Sequence, residues 1–373
     1  MREANPSSTT SPSGRPRCGR WGSTWRAACG AGAVPGSEAM TWVRLERDDG
    51  SDRPDLDPGW LGRQLADRGH GASFEALECE KVGRFSSDVW RVRPVGGASP
   101  RPTLVVKQLC QPPRTGESLD LEASFYERLA AKLPVRTPEW IGRTKHGLVL
   151  AEIEGLRAFD FERGPEPGHA EQAIEALAAL HAATWETKHD VEWVPRLSDP
   201  ALRLAWQADY DTVWRQRRAQ LDAIYPAFTP IGDALMGRLA ETLAPLAYPC
   251  ALLHGDAHGE NLALDADGHV VFLDWESPRL GSPAFDVAVF TTMSYPIRVR
   301  RKVEPALVER HLRALGPHSV DWADPWTDYR RAVLRRAARI VELGAQGPFP
   351  ALPWVFERCA TAAVDHHAMD LIV

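Results

Sequence analysis

The chain has 373 residues, of which 44% are hydrophobic and 25% are charged, and its formal net charge at pH 7 is −6. This length is sufficient for two hydrophobic cores, and the composition is typical of a globular protein. The negative net charge argues against nucleic acid as a partner, and no apolar stretch is long enough to span a bilayer.

The six cysteines are scattered along the chain without a Cys-x-x-Cys pair. This pattern indicates reduced thiols rather than a disulfide framework or a zinc site, and it predicts a cytoplasmic protein. Nothing in the sequence indicates an oligomeric state.

The N-terminal residues 1–60 are predicted to be a disordered extension. Residues 1–39 are rich in serine, proline, glycine and arginine, a composition typical of disorder. They contain no apolar segment of a secretory signal. Met40 is an alternative to Met1 as the start of the protein.

A possible phosphate-binding turn follows in residues 61–152, which are predicted to form a smaller lobe. Two strand candidates, Phe74 to Cys79 and Val89 to Val92, flank the segment 81–88. Backbone N–H groups of a turn between two strands can bind phosphate. A single glycine is a weak signal, and an ordinary hairpin turn is the competing interpretation. The candidate residues of this turn are Gly83, Phe85, Ser86 and Ser87.

A lysine ends the next strand candidate. Lys107 follows the apolar run 103–106, and a lysine on a buried strand requires a counter-charge. The helical stretch that begins near Leu121 offers two partners on different faces, Glu122 and Glu127. The alternative is an edge-strand lysine whose charged end reaches solvent.

Residues 153–373 are predicted to form a larger, mainly helical lobe. The segment 146–155 has the pattern of a last strand that runs into a hinge, and 170–185 is predicted to be a central helix. We interpret His181 on the apolar face of that helix as a packed core residue. The stretch 186–249 holds tryptophans and acids that fit either a core or an acceptor pocket.

The most informative segment lies at 254–276. Asp256 and Asn261 are five residues apart in a loop, and Asp274 follows the apolar run Val270 to Leu273. The turn at 265–268 predicts a hairpin whose ends meet, which brings Asp274 close to the other two residues. A surface hairpin with solvated carboxylates is the competing interpretation.

This set of residues fits phosphoryl transfer, which requires a carboxylate to orient the attacking hydroxyl and oxygen ligands for a metal ion. Asp256 fits the first role, while Asn261 and Asp274 fit the second, because Mg²⁺ takes few protein ligands and prefers oxygen. We therefore expect an ATP-dependent kinase that acts on a hydroxyl. A metal-dependent hydrolase built on His254 and His258 is disfavoured, because it leaves Lys107 unexplained.

Residues 254–286 resemble the catalytic core of the aminoglycoside phosphotransferase family. The shared features are a His-Gly-Asp loop, an asparagine five positions after the aspartate, and an Asp-Trp-Glu triplet. This chain has Gly259-Glu260 where the family often has Pro-Gly. The resemblance implies an α+β, bilobal protein-kinase-like fold, with a small antiparallel-sheet N-lobe that carries one helix and a larger, mainly helical C-lobe.

The resemblance also implies ATP and Mg²⁺ as cofactors and a small-molecule hydroxyl as acceptor. It assigns Asp256 as the catalytic base and Lys107, held by Glu122 rather than Glu127, to the α/β-phosphates. Backbone groups near Glu152 and Ile153 would meet the adenine, Asn261 and Asp274 would hold Mg²⁺, and Asp286 would brace the catalytic loop.

The acceptor stays open at this point, between an aminoglycoside, an amino sugar and another alcohol. Residues 125–126 and 286–300 loosely resemble the ecdysteroid- and choline-kinase-like branch. A catalytically silent nucleotide-binding or scaffold protein is the alternative function. A protein kinase is disfavoured by the long insertion before the catalytic loop and by the short distance from Asp274 to Asp286.

Overall fold

The computed structural model describes residues 43–44, 53–71, 73–84, 87–96, 101–109, 117–160, 163–186, 191–343 and 352–373. The strands are β1 (Val43–Arg44), β2 (Ala76–Arg84), β3 (Ser87–Val95), β4 (Leu104–Leu109), β5 (Trp140–Arg143), β6 (Gly147–Ala151), β7 (Arg157–Ala158), β8 (Ala251–Leu253), β9 (Leu262–Leu264), β10 (Val270–Phe272) and β11 (Arg279–Gly281). The helices are α1 (Pro58–Ala66), α2 (Glu117–Arg128), α3 (Pro167–Ala183), α4 (Pro200–Ile224), α5 (Thr229–Leu235), α6 (Leu239–Thr242), α7 (Ala284–Ser294), α8 (Ile297–Ala314), α9 (Pro325–Leu343) and α10 (Leu352–Asp365).

The N-lobe is built on a six-stranded antiparallel sheet with the strand order β1-β2-β3-β4-β6-β5. Side chains alternate between the two faces of a strand, and both faces of β4 are buried. Leu104 and Val106 pack on the same side as α1, whereas Val105 packs with α2 and the C-lobe core. This double burial explains the continuous apolar run before Lys107.

The helix α1 was not predicted and starts inside the segment assigned to the disordered extension. Asp57 caps its N-terminus by accepting a hydrogen bond from the Trp60 N–H, and Pro58 occupies the first turn, where a missing N–H costs nothing. Leu61 and Leu65, four residues apart, are fully buried against the sheet. The helix α1 therefore extends across residue 60 and packs on the sheet in addition to α2.

The hairpin of β2 and β3 is longer than predicted. Its strands include most of 81–88, because a bulge between Lys81 and Gly83 lets the pairing continue. The Lys81 ammonium lies 3.1 Å from the Asp88 carboxylate, so these charges are paired across the strands. Phe85 and Ser86 lie outside the described residues.

The C-lobe surrounds α7, in which every residue is buried. The helices α3, α8, α9 and α10 pack around it, and α3 corresponds to the predicted central helix. In the stretch 186–249, the aromatic residues Trp206, Tyr210 and Trp214 of α4 are buried. They belong to the hydrophobic core. None of the described helices contains a segment long and apolar enough to cross a membrane.

Candidate active site

The predicted hairpin is formed by β9 and β10, which pair antiparallel from Leu262–Phe272 to Leu264–Val270. Gly268 adopts a φ of +84° in the connecting turn, a conformation that glycine reaches without steric cost. The Leu273 N–H donates to the Asn261 carbonyl at 2.9 Å. Asn261 and Asp274 therefore lie at the same end of the hairpin.

Asp256 is bonded on both carboxylate oxygens. Its Oδ1 accepts from Arg336 Nη1 at 2.8 Å, and its Oδ2 lies 3.4 Å from His258 Nε2. Asn261 Nδ2 donates to the Asp256 carbonyl at 2.9 Å. The Asp256 side chain is still 34% exposed, so it remains accessible to a small molecule.

The loop that carries Asp256 is attached to the core through Asp286 at the start of α7. The two Asp286 oxygens accept from the backbone N–H groups of His254 and Gly255 at 2.7 and 2.9 Å. The same carboxylate lies 3.2 Å from His181 Nε2. Asp286 and both histidines are completely buried, which gives His181 a role in packing and hydrogen bonding within the core.

Two backbone conformations shape the loop and the metal candidate. Gly255 has a φ of +83°, and a Cβ at this position would overlap the Ser277 carbonyl. Asp274 has a φ of +62° although it is not a glycine. Non-glycine residues held in this region cost roughly 1–3 kcal/mol and cluster at functional sites.

Lys107 connects the two lobes. Its ammonium lies 2.6 Å from Glu122 of α2, 2.8 Å from Asp274 and 3.2 Å from Glu276. Between Asp274 and Glu276, the ring of Trp275 stacks on Phe125 of α2 with the ring centres 3.7 Å apart. Glu127, the other candidate partner, is exposed.

Three carboxylates surround the ammonium of Lys107. Burial by itself would lower the pKa of Lys107, but Asp274, Glu122 and Glu276 raise that pKa well above its ordinary value. Burial raises the pKa of Glu122 to about 8, with the carboxylates of Asp274 and Glu276 adding to the effect against the attraction of Lys107. Three carboxylates therefore lie around one ammonium, and their mutual repulsion favours an additional cation or proton.

The charged groups next to Asp256 are positive instead. Burial would raise the pKa of this carboxyl, but the charges of Arg336 and His258 hold it far below its usual range. Asp256 therefore stays ionised throughout the range in which enzymes operate.

The remaining predicted residues lie around the sheet. Ser87 is buried at the start of β3, and Gly83 belongs to β2. Glu152 follows β6, where its carboxylate accepts from Arg91 at 3.0 Å and its N–H donates to the Thr103 carbonyl at 2.8 Å. Ile153 packs partly buried against the main core.

Sequence reasoning did not assign Glu276 and Arg336 to the site. Glu276 lies in the Asp-Trp-Glu triplet and was therefore within reach of a motif argument. Arg336 is 80 residues from Asp256 and one of many arginines in α9. The contact of Arg336 with Asp256 depends on how α9 packs beside the loop. No local sequence pattern predicts that packing.

The buried histidines predict that the protein loses stability at mildly acidic pH. Burial lowers the pKa of both His254 and His311 below 6.5, so both stay neutral in the folded chain but take up protons when it unfolds. The two histidines should therefore make stability fall as the pH drops below 6.5, by up to about 1.4 kcal/mol per pH unit for each. Glu122, whose pKa burial raises to about 8, opposes one such contribution down to pH 4.5. Urea unfolding between pH 7.5 and 5.0 measures this slope.

The control for this pH experiment is a pair of variants. His311→Gln should reduce the slope, whereas His269→Gln, at an exposed position, should leave it unchanged. Equal slopes in the unmodified protein and both variants would contradict the assignment of the pH dependence to His311. Carboxylates whose pKa is lowered by folding contribute mainly at lower pH, because their unfolded values lie near 4.

Comparison with known proteins identifies the family of this chain. A model of the phosphotransferase enzyme family (APH) matches residues 79–333, which is more than half of the chain. Comparison with characterised protein sequences finds no match.

Solved structures share the fold at low sequence identity. An ethanolamine kinase from Plasmodium vivax is 12% identical, with a TM-score of 0.53, over 77% of this chain and 82% of its own. The choline kinase LicA from Streptococcus pneumoniae is 14% identical, with a TM-score of 0.52, over 82% and 98%. The structure of a gentamicin–APH(2″)-IIa complex is 13% identical, with a TM-score of 0.50, over 86% and 100%.

These likenesses bear on the fold alone, and they agree with the predicted α+β kinase-like architecture. The family itself follows from the sequence model, whose match begins in β2 and ends in α9 and so includes the lysine, the catalytic-loop candidates and the metal candidates. The chain belongs to the phosphotransferase enzyme family.

Proposed function

We propose that this protein transfers the γ-phosphoryl group of Mg-ATP to a hydroxyl of a small molecule. The observation that carries the proposal is the meeting of three elements at Lys107. The ammonium of Lys107, which belongs to the sheet, lies within 3 Å of two carboxylates. One belongs to Glu122 of α2 and the other to Asp274 at the end of the hairpin. This arrangement supports a nucleotide site between the lobes, because phosphoryl transfer depends on positioning and charge stabilisation.

In this proposal, Lys107 binds the α- and β-phosphates and Glu122 holds the lysine in place. The hairpin of β2 and β3, with Gly83, Phe85, Ser86 and Ser87, covers the phosphates. The N–H of Glu152 is already bonded within the sheet, so we expect the Ile153 backbone and the Glu152 carbonyl to meet the adenine edge.

The donor atoms near Lys107 fit a magnesium ion. Oxygens of Glu122, Asp274 and Glu276 lie within 4.8 Å of one another, and Mg²⁺ prefers such hard oxygen ligands. Asp274 and Asn261 would hold the ion, with Glu276 as a further candidate, because the Asn261 amide nitrogen is engaged and its oxygen remains as a ligand. Magnesium bound there would neutralise phosphate charge.

Asp256 is proposed to act on the acceptor. Its carboxylate orients the attacking hydroxyl and takes up the proton as the oxygen bonds to the γ-phosphorus and ADP departs. The low pKa of Asp256 keeps the carboxylate ionised, which suits orientation of the hydroxyl more than early removal of its proton. The attachment of the loop to Asp286 fixes the position of this carboxylate.

The first experiment is Mg-ATP turnover by the purified protein against a panel of alcohols, including aminoglycosides, macrolides, amino sugars, choline and sterol-like alcohols. Turnover that depends on Asp256 supports a small-molecule kinase. Mg-dependent nucleotide binding without turnover on the panel indicates that the acceptor belongs to another class of alcohol. Absence of nucleotide binding rejects the proposal.

The metal role of Asp274 gives a separate prediction. Asp274→Asn should weaken Mg-nucleotide binding by about 10-fold or more, because a carboxylate ligand is replaced by a neutral amide. Titration with a fluorescent nucleotide at several Mg²⁺ concentrations measures the effect. Asp321→Asn, at an exposed position, is the matched control, and equal affinities in both variants would exclude the ligand role.

A further inference from the structure

The surroundings of Asp256 are unusually basic. Arg335, Arg336 and Arg339 project from α9, and Arg279 begins β11. The electrostatic neighbours of Arg279 include Arg335, Arg339, Glu342 and Asp256. Four guanidinium groups therefore lie near two carboxylates, those of Glu342 and of Asp256, the proposed catalytic residue.

Two of these arginines are buried and have their own partners. Arg335 is 2% exposed, bonds Glu342 at 2.8 and 3.2 Å, and lies 4.0 Å from the centre of the Trp206 ring. Arg336 is 4% exposed and bonds Asp256. The Nε atoms of both arginines are buried without a hydrogen-bond partner, so the cluster keeps unused donors.

Arg279 differs from its neighbours because neither nearby carboxylate forms an ion pair with it within the described residues. Its guanidinium lies 5.0 Å from the centre of the same Trp206 ring, and it forms neither an ion pair nor a hydrogen bond within the described part of the chain. Burial lowers the pKa of Arg279, and the charges of Arg335 and Arg339 lower it further. The residue as a whole is half-buried and keeps some exposed surface.

An unpaired guanidinium among other cations is costly unless an anion joins it. Arginine presents a planar fork of donors that matches a carboxylate or a phosphate. Arg339, whose side chain is 37% exposed, bonds Glu342 at 3.3 Å and lies on the same helix one turn from Arg335. β11 pairs with β8, which leads into the Asp256 loop, and α9 carries the Arg336 that bonds Asp256. Arg279 and the partly exposed Arg339 therefore lie on the two elements that flank the carboxylate that would receive the acceptor's hydroxyl.

We propose that the acceptor is an alcohol that carries an anionic group, a carboxylate or a phosphate, which Arg279 and Arg339 bind while its hydroxyl faces Asp256. This inference rests on the proposed function and names its substrate class. A positively charged amino alcohol would meet the same guanidinium groups with repulsion, so amines such as choline are expected to be poor acceptors.

The test uses four alcohols of equal chain length that differ in one end group: a hydroxycarboxylate, a diol monophosphate, a neutral diol and an amino alcohol. ADP release gives kcat/KM for each. At least one anionic alcohol should exceed the diol by about 10-fold or more, and the amino alcohol should be the poorest. The ratio of the two anions distinguishes a carboxylate from a phosphate acceptor.

Variants of Arg279 test the assigned residue. Arg279→Gln should raise KM for the anionic alcohol about 10-fold and remove the preference over the diol, whereas Arg279→Lys should restore part of it. Arg279→Glu should shift the preference toward the amino alcohol. Arg313→Gln, which removes an exposed arginine of α8, is the matched control.

Calorimetric binding of the same two anions in the presence of Mg-ADP gives a readout that does not depend on turnover. The inference is overturned by a preference for the neutral or amino alcohol, by an equal effect of Arg279→Gln on all four alcohols, or by the lack of Arg279-dependent anion binding. These results leave Mg-nucleotide binding intact, whereas its loss in the unmodified protein would reject the proposed function itself.

Discussion

Asp256→Asn is expected to reduce phosphoryl transfer by roughly 10²- to 10⁴-fold, the usual contribution of a general base. The amide keeps the shape of the carboxylate but takes up no proton from the hydroxyl. Because the base acts mainly in the transition state, the affinity for Mg-nucleotide should be largely retained. Single-turnover kinetics and nucleotide titration measure the two quantities separately.

The control for this variant must account for Arg336. This arginine is 4% exposed and bonded to Asp256, so the substitution also leaves a buried cation without its charged partner. The thermal unfolding temperature should be measured alongside, and Asp267→Asn, in the exposed turn of the hairpin, serves as a matched control. Nucleotide affinity lost together with turnover would assign Asp256 to the metal instead.

Asp286→Ala is expected to lower the free energy of unfolding by roughly 3–5 kcal/mol. The substitution leaves the N–H groups of His254 and Gly255 without acceptors in a fully buried place, and it removes a partner of His181. Total stabilities are typically about 5–15 kcal/mol, so this loss is a large part of the whole. Urea unfolding at pH 7.5 measures it.

Asp286→Asn separates the loss of charge from the loss of the acceptors. Its single carbonyl oxygen can replace one of the two bonds, so we expect an intermediate destabilisation. Asp321→Ala on the surface should change the free energy of unfolding by no more than about 0.5 kcal/mol. A loss below about 1 kcal/mol in Asp286→Ala would mean that the loop is held by other contacts.

Much of the site could be predicted from short segments of the sequence. The hairpin at 262–272 follows from two apolar runs and a turn, and the pairing of its strands brings Asn261 and Asp274 to the same end. Lys107 could be singled out because a lysine at the end of a buried strand needs an opposite charge. Glu122 then lies on the face of α2 that points to the sheet.

Other parts required information that local patterns do not contain. The helix α1 has only two fully buried leucines and follows a segment rich in polar residues, so its sequence pattern is too weak to predict a helix. Arg336 and Arg279 acquire their importance because α9 and β11 pack beside the loop. Such contacts depend on tertiary packing. They cannot be predicted from the hydrophobic periodicity or the composition of α9 and β11.

The burial of α7 has a consequence for how the loop moves. Because Asp286 lies on a helix with no exposed residue, the amide protons of His254 and Gly255 can exchange with solvent only when the interior of the C-lobe opens. We therefore expect the proposed catalytic loop to belong to the same cooperative unit as the core and to keep its geometry until that unit opens.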